Sequence, residues 1–322
     1  MNPRIVITKA LGSLATLAFV VVFNFFLFRV IATDPVANLF RGRNLTDAQR
    51  DQLTSEFGLD GSQFEQFWSY IGQTLQLNLG RSYVTNQPVW EEIVDKAPAT
   101  IALVGVAAVL SAVFGIMIGI VAAWRRGSKA DYASTTATMT LYSMPDFWLG
   151  MLLLTVFSVA LGWFPVGGIE DPTSSETGFG LLLDQAHHMA LPAITLTLAY
   201  LGEYALVMRS SLIDTMREDY LVLARAKGLR DVQVRNRHAV PNALLPVTTL
   251  VAINFGFVLS GAIAVETIFS WPGLGLATFE ALQGPDLPML QGLFLVFSAA
   301  VILFNLLADL LYVALDPRVR LA

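Results

Sequence analysis

"ARAKGLRDVQVRNRHAVPNALLP", residues 224–246, places five of the chain's twenty Lys and Arg residues between two of its most apolar segments. That contrast decides the class of the fold. Over all 322 residues the composition is 55% hydrophobic and 14% charged, with a mean hydropathy of +0.60, whereas soluble domains are about a quarter charged. A helix needs ~20 apolar residues to cross the hydrocarbon core, with every backbone polar group satisfied inside the chain. Several runs meet that length, so the sequence reads as an all-α, polytopic membrane protein. The absence of cysteine excludes a disulfide framework and a Cys-built metal site. Three histidines, His187, His188 and His238, are too few and too scattered for a metal cluster; no metal or cofactor is expected.

Working outward from the basic stretch, apolar runs cover residues 10–28, 99–124, 147–163, 189–208, 239–265 and 287–308. Six spans are expected. The fourth carries one charge, Glu203, and the third is expected to begin near Ala133 with a break at "SMPD", where Pro145 removes a helix donor. With the N-terminus placed in the cytoplasm, thirteen basic residues fall inside: Arg4, Lys9, Arg125, Arg126, Lys129, Arg217, Arg225, Lys227, Arg230, Arg235, Arg237, Arg318 and Arg320. Arg41, Arg43, Arg50, Arg81 and Lys96 fall outside, all in the long first connection, where the positive-inside bias acts weakly. The two shorter outer connections carry no Lys or Arg, and one is acidic, with Glu170, Asp171, Glu176 and Asp184. Both termini are therefore expected in the cytoplasm. "VIA" at Val30 to Ala32 resembles a signal cleavage site, but the run before it exceeds the roughly 7–15 apolar residues of a signal peptide, so it is read as a span. The expected division is a tail with the first span (1–32), an extracytoplasmic segment (33–97) and a five-helix core (98–322) whose cytoplasmic loop occupies 212–241.

Within the outer segment, "TDAQ" at Thr46 and "SQFE" at Ser62 both fit a capping box. After the second, Phe64, Phe67, Trp68, Ile71 and Leu75 recur at helical spacing and are expected to share one apolar face. Packing on the membrane surface, on the chain's own spans or on a partner are all open to it. Catalytic signatures are missing. A phosphate-cradling loop needs Lys followed by Ser or Thr, whereas Lys9, Lys96, Lys129 and Lys227 precede Ala, Ala, Ala and Gly. "GLGLATFE" after Pro272 lacks the strand context and third glycine of a nucleotide loop and reads as a turn. Among charges near spans, Glu203, Glu266 and Asp309 are candidate functional acids; pairing between helices is favoured over a proton relay. Arg29 and Arg209 sit near span ends and are expected to snorkel to the interface.

The basic stretch itself starts as a helix. In "SSLIDTMREDYLVLARAKG", Leu212, Met216, Tyr220, Leu223 and Ala224 fall on about one side, and Gly228 is a stop signal. Small Ala224 and Ala226 beside Gly228 leave room for another backbone to approach. A second helical piece from Asp231 to His238 is expected to end against Pro241. Positive-inside bias or anionic lipid accounts for the charges, but not for the placement of Ala, Gly and Pro.

That placement resembles the E-A-A-x-x-x-G-x9-I-x-L-P loop of ABC-importer permeases, with Ala224 at the third motif position, Gly228 at the glycine and Val240-Pro241 at Leu-Pro. "DYLVLARAKGL", "RHAVPNALLP" and "VETIFSWPGLG" resemble the B-type subunit of the dipeptide/oligopeptide/nickel permease family. "DPV" at Asp34, "LGRSY" at Leu79, "PATIAL" at Pro98, "MPDFWLG" at Met144 and "GWFPVGG" at Gly162 follow it in order. One departure matters: Val222 stands where the motif has Glu, and Leu223 at its first Ala, so a salt bridge from that Glu to an ATPase cannot be carried over. The resemblance implies the type I importer permease fold in a bacterial or archaeal plasma membrane. Its implied partners are a second homologous permease subunit, two ATP-binding subunits or one fused ATPase, an extracytoplasmic substrate-binding protein and the lipid bilayer, with no nucleic acid. The subunit itself would not be an enzyme. Asp219, Tyr220, Ala224, Arg225, Ala226, Lys227, Gly228, Val240 and Pro241 would couple to the ATPase; Asn254, Ser260 and Glu266 would flank the path or its gate; and Phe64, Phe67 and Trp68 would seat the binding protein. A proton-coupled secondary transporter, a passive channel and a membrane scaffold are the competing readings.

Overall fold

The computed structural model describes residues 3–31, 62–173, 175, 177–284 and 286–315. The first span is α1 (Pro3–Phe25), prolonged by a π-helical turn over Phe26–Ile31. Then come α2 (Gln63–Leu75), α3 (Val89–Trp124), α4 (Lys129–Ser143), and α5 (Asp146–Leu153) with a π segment at Leu154–Ala160. The long α6 (Phe179–Thr215) precedes the short α7 (Asp219–Ala226) and α8 (Asp231–Val234). A π turn at Arg235–Ala239 leads into α9 (Val240–Ile268), followed by α10 (Leu274–Gln283) and α11 (Leu287–Leu315).

Among the described residues, Val6–Phe28, Val89–Trp124, Phe179–Thr215 and Leu287–Leu310 are each long and apolar enough to cross a membrane. The pair α4 and α5 passes that test together and bends by 103° at its break, where Met144 is extended and Pro145 starts the second leg. The expected break at "SMPD" lies there because Pro145 has no N–H for a continuing helix and biases the residue before it away from helical geometry. The 29-residue α9 covers the apolar run expected over residues 239–265. The helix α3 starts ten residues before the expected second span, so the boundary drawn between residues 97 and 98 falls inside it.

Contacts between helices give their directions. Asn24 bonds the Gln291 carbonyl while Lys9 pairs with Asp309, so α1 and α11 run antiparallel. Likewise α6 and α9 join through Glu203 to Asn254 and Ser211 to Ala243, and α4 meets α6 through Asp131 to Arg209 and at Gly202. The most extensive contact, α3 against α6, is parallel. Its cause is the pair Gly115 and Gly119: a Cβ on the first would lie 2.6 Å from the Leu201 carbonyl, and on the second 2.6 Å from that of Ala205. Without a hydrophobic driving force between helices in lipid, such small residues allow the close packing that holds spans together.

The connections expected on the outer side fold onto the span ends. Asp286 accepts from the backbone of Tyr83 at 3.1 Å and of Met289 at 3.2 Å, and Ser82 donates to it, which ties "LGRSY" to the start of α11. Gly168 donates to the Phe269 carbonyl at 3.0 Å. The expected capping box at Ser62 is present: Glu65 N–H donates to Ser62 Oγ at 3.3 Å and Ser62 N–H to Glu65 Oε2 at 2.9 Å. The Ser62 N–H and then the Ser62 hydroxyl, which also donates to Glu65 Oε2 at 2.9 Å, hold the Glu65 carboxyl below the usual carboxylate range. Thr46 and Asp34 lie outside the described residues.

Candidate functional site

At the end of the bundle that carries Arg125, Arg126 and Lys129, the basic stretch forms a short rigid bracket. Met216 and Arg217 turn the chain and Glu218 is extended, so α7 is a separate helix rather than a continuation from residue 210. Separation changes which side faces in. Leu221 and Ala224 are buried in a cluster with Leu212, Val234, Ala239 and Ala243. Leu223, expected inward, is 56% exposed; Val222 is 60% and Tyr220 39% exposed. The small size of Ala224 thus serves packing within the chain, while Ala226 is exposed.

The helix ends in a Schellman motif. Gly228 N–H donates to the Arg225 carbonyl at 2.9 Å and Leu229 N–H to that of Ala224 at 3.4 Å, with Gly228 at φ +78, a conformation that glycine adopts without a Cβ penalty. A Cβ at Gly228 would meet no atom of this chain within 4 Å. Asp219 opens α7, Lys227 caps it, and Arg225 lies 3.7 Å from Asp231. Asn242 Nδ2 donates to the Tyr220 hydroxyl at 3.0 Å and to the His238 carbonyl at 2.7 Å. That pins α7 to the root of α9, and burial pushes the Tyr220 phenol above its ordinary value. Contrary to expectation the chain does not stop at Pro241. The π turn carries Val240, half-buried, and Pro241, exposed, straight into α9.

Within the spans, Arg209 does not snorkel. Its Nε lies 2.7 Å and its Nη2 3.0 Å from the Asp131 carboxylate, a bidentate pair joining the roots of α4 and α6. Glu203 accepts from Asn254 Nδ2 at 2.7 Å. Glu266 is fully buried and acts as a helix cap: Oε1 accepts from Thr100 Oγ1 at 2.7 Å, and Oε2 from the N–H of Gly275 at 2.7 Å and of Leu276 at 3.1 Å. "GLGLATFE", read as a turn, is therefore the start of α10, with its free N–H groups aimed at that carboxylate. Ser260 falls within α9, but its side chain, like that of Arg29, lies outside the described residues.

Residues 115–321 match the model of the binding-protein-dependent transport system inner membrane component, and residues 3–104 match that of its N-terminal region. The chain belongs to this permease family. The di/tripeptide transport system permease protein DppB of Pseudomonas aeruginosa (strain UCBPP-PA14) is 38% identical over 329 residues, 98% of each chain. The dipeptide transport system permease protein DppB of Escherichia coli (strain K12) is 39% identical over 308 residues, 90% of this chain and 91% of the relative. The glutathione transport system permease protein GsiC of the same strain is 38% identical over 316 residues, 98% of each. In backbone, a chain of the MetNI methionine ABC transporter, solved in inward facing conformations, superposes with a TM-score of 0.57 at 16% identity, covering 70% of this chain and 96% of that one. The fold is that of a type I importer permease, and the protein is a multi-pass inner-membrane component of an ABC importer.

In this permease the three aromatics assigned to the outer segment touch one another, with ring centroids 6.2 Å apart for Phe64 and Trp68 and 5.4 Å for Phe67 and Trp68. Phe67 stacks edge-on against Phe25 of α1 with centroids 5.2 Å apart, while Phe64 and Trp68 stay exposed. The expected single apolar face is present, since residues three and four apart share a helix side; Phe67 lies at its edge nearest α1 and the other two extend away from the span. Asp131 and Thr100 were not singled out from the sequence. Both lie more than 75 residues from the groups they bind, and no local pattern marks such a pairing.

Proposed function

We propose that this permease forms, with a second homologous subunit, the membrane path of an ATP-driven importer of di- or oligopeptides, and that α7 is its coupling helix. The supporting observation is the seating of α7. One side is locked to the bundle through Leu221 and Ala224, and the opposite side offers exposed Val222 and Leu223 at the basic end. An apolar face on a short helix held at both ends by spans is suited to sit in a groove of a separate ATPase and pass its movement to α6 and α9. With Val222 in place of the motif's Glu, that contact is apolar rather than ionic. The relatives named for dipeptide, di/tripeptide and glutathione transport support a peptide-class cargo. The basic end faces the cytoplasm in this reading, following the positive-inside bias. At the outer end, exposed Phe64 and Trp68 are the contact assigned to the binding protein, since large aromatics often anchor interfaces. Asn254, Ser260 and Glu266 lie along the helix that flanks the path, and α10, pinned by Glu266, moves with α3 and α9 when the path opens outward.

The test is a pair of substitutions at Gly228. Asn tolerates the left-handed conformation that Gly228 holds, and this chain leaves its side chain room. Gly228→Asn is expected to fold and to retain ATPase co-purification. Gly228→Glu adds charge and length at the proposed groove and is expected to insert normally while losing both co-purification and uptake. Native co-purification and uptake in Gly228→Glu would refute the assignment of α7.

A further inference from the structure

The helix α6 carries a carboxylate that the fold does not neutralise. His188 and Arg209 are 21 residues apart on it, about 31 Å at helical rise, which matches a hydrocarbon core of about 30 Å. Glu203, six residues from Arg209, therefore lies about 9 Å inside that slab. Its hydrogen-bond partner, Asn254, is a neutral amide, and none of the ion pairs among the described residues includes it. Glu266 differs, being fully buried with three donors. Glu203 is only half-buried, and a carboxylate retains acceptor sites beyond the one that Asn254 occupies.

The direction of that open side is limited. Gly202 packs on α4, where a Cβ would meet the Thr138 carbonyl at 2.6 Å, and buried Tyr204 meets Gly115 of α3. Those two sectors of α6 are closed, and Glu203 projects beside α9. A charged group opening onto lipid tails at this depth is costly, so such residues face water-filled paths or other protein.

Resting on the peptide-import reading above, we infer that Glu203 lines the translocation path and is the counter-charge met by the α-ammonium of a peptide cargo. Every peptide carries that ammonium whatever its side chains, so one fixed carboxylate serves cargo of varied sequence. Asn254 holds the carboxylate in place by its amide and makes no demand on the charge.

The experiment uses the complete importer in proteoliposomes, with trialanine as cargo. Because this chain has no cysteine, a Glu203→Cys variant carries one thiol in this subunit, and the native complex controls for thiols elsewhere. Glu203→Gln is expected to lower trialanine uptake about tenfold or more, as removal of one partner of a desolvated charge pair does, in a complex that still assembles; Glu203→Asp retains most uptake. The thiol at 203 is expected to react with water-soluble methanethiosulfonates, with uptake restored by the sulfonate-bearing reagent and not by the trimethylammonium-bearing one. Native uptake by Glu203→Gln would overturn the inference, as would an unreactive thiol, rescue by the cationic reagent, or loss of assembly in the Gln variant, which would assign Glu203 to a subunit contact. If the native complex takes up no trialanine on addition of ATP, the peptide reading fails too, and that control separates the two failures.

Discussion

Glu266 shows how a buried carboxyl group is satisfied at the C-terminal end of α9. Together with Thr100, whose Oγ1 accepts from the Leu274 N–H at 2.7 Å, it satisfies the first three N–H groups of α10, which otherwise have no partner within the helix. The positive end of the helix dipole adds to this. Glycine is required at 273 and 275 because a Cβ at the first would run into Thr100 and Glu266, and at the second would lie 2.7 Å from Ile263 Cα. Glu266→Gln can turn its oxygen to α10 and its amide to Thr100, so it is expected to cost about 1 kcal/mol, whereas Glu266→Ala leaves buried donors unpaired and costs about 3 kcal/mol or more. Thermal unfolding of the purified protein in detergent should therefore rank native, Gln and Ala in that order. Equal melting temperatures for Gln and Ala would show that the cap contributes nothing.

At the scale of elements, the interface of α3 and α6 depends on two backbone approaches one helical turn apart. Gly115→Leu places side-chain atoms where the Leu201 carbonyl and Tyr204 already are. Overpacking of this kind costs about 1–3 kcal/mol or more, and the folded yield from membranes is expected to fall steeply. Gly105, on the same helix, has nothing within 4 Å of its Cβ position, so Gly105→Ala is expected to be neutral or slightly stabilising. Size-exclusion profiles of the two variants check this directly. The basic bracket makes a related point: "REDYLVL" holds no Gly or Pro, yet the chain turns at Met216–Glu218, and α7 leaves the axis of α6 with Leu221 seated on Val234 and Ala239.

For the whole molecule, the contact pairs give spans that alternate in direction, with Lys9, Arg126, Arg209 and Asp309 toward one end and Asn24, Glu266 and Gln291 toward the other. Single cysteines in this Cys-free chain test the orientation. Thr177→Cys is expected to react with an impermeant maleimide in intact cells and Arg126→Cys only in inside-out vesicles; the reverse pattern would invert the topology. Both sites are exposed, so reactivity reports the side of the membrane rather than burial.

Span length, charge bias, the Pro145 break, the Ser62 capping box and the Gly228 stop were all legible in the sequence. Each is set by neighbours a few residues away or by composition along one run, and a membrane reads both one segment at a time. The opposite sides of α7, the seating of Phe67 on Phe25, the Arg209 pair with Asp131, the Glu266 cap on α10 and the Glu203 contact with Asn254 depended on tertiary structure. Successive residues on a helix differ by about 100° in direction, and a polar group in hydrocarbon takes whichever partner the packing of helices brings within about 3 Å, often one tens of residues away along the chain.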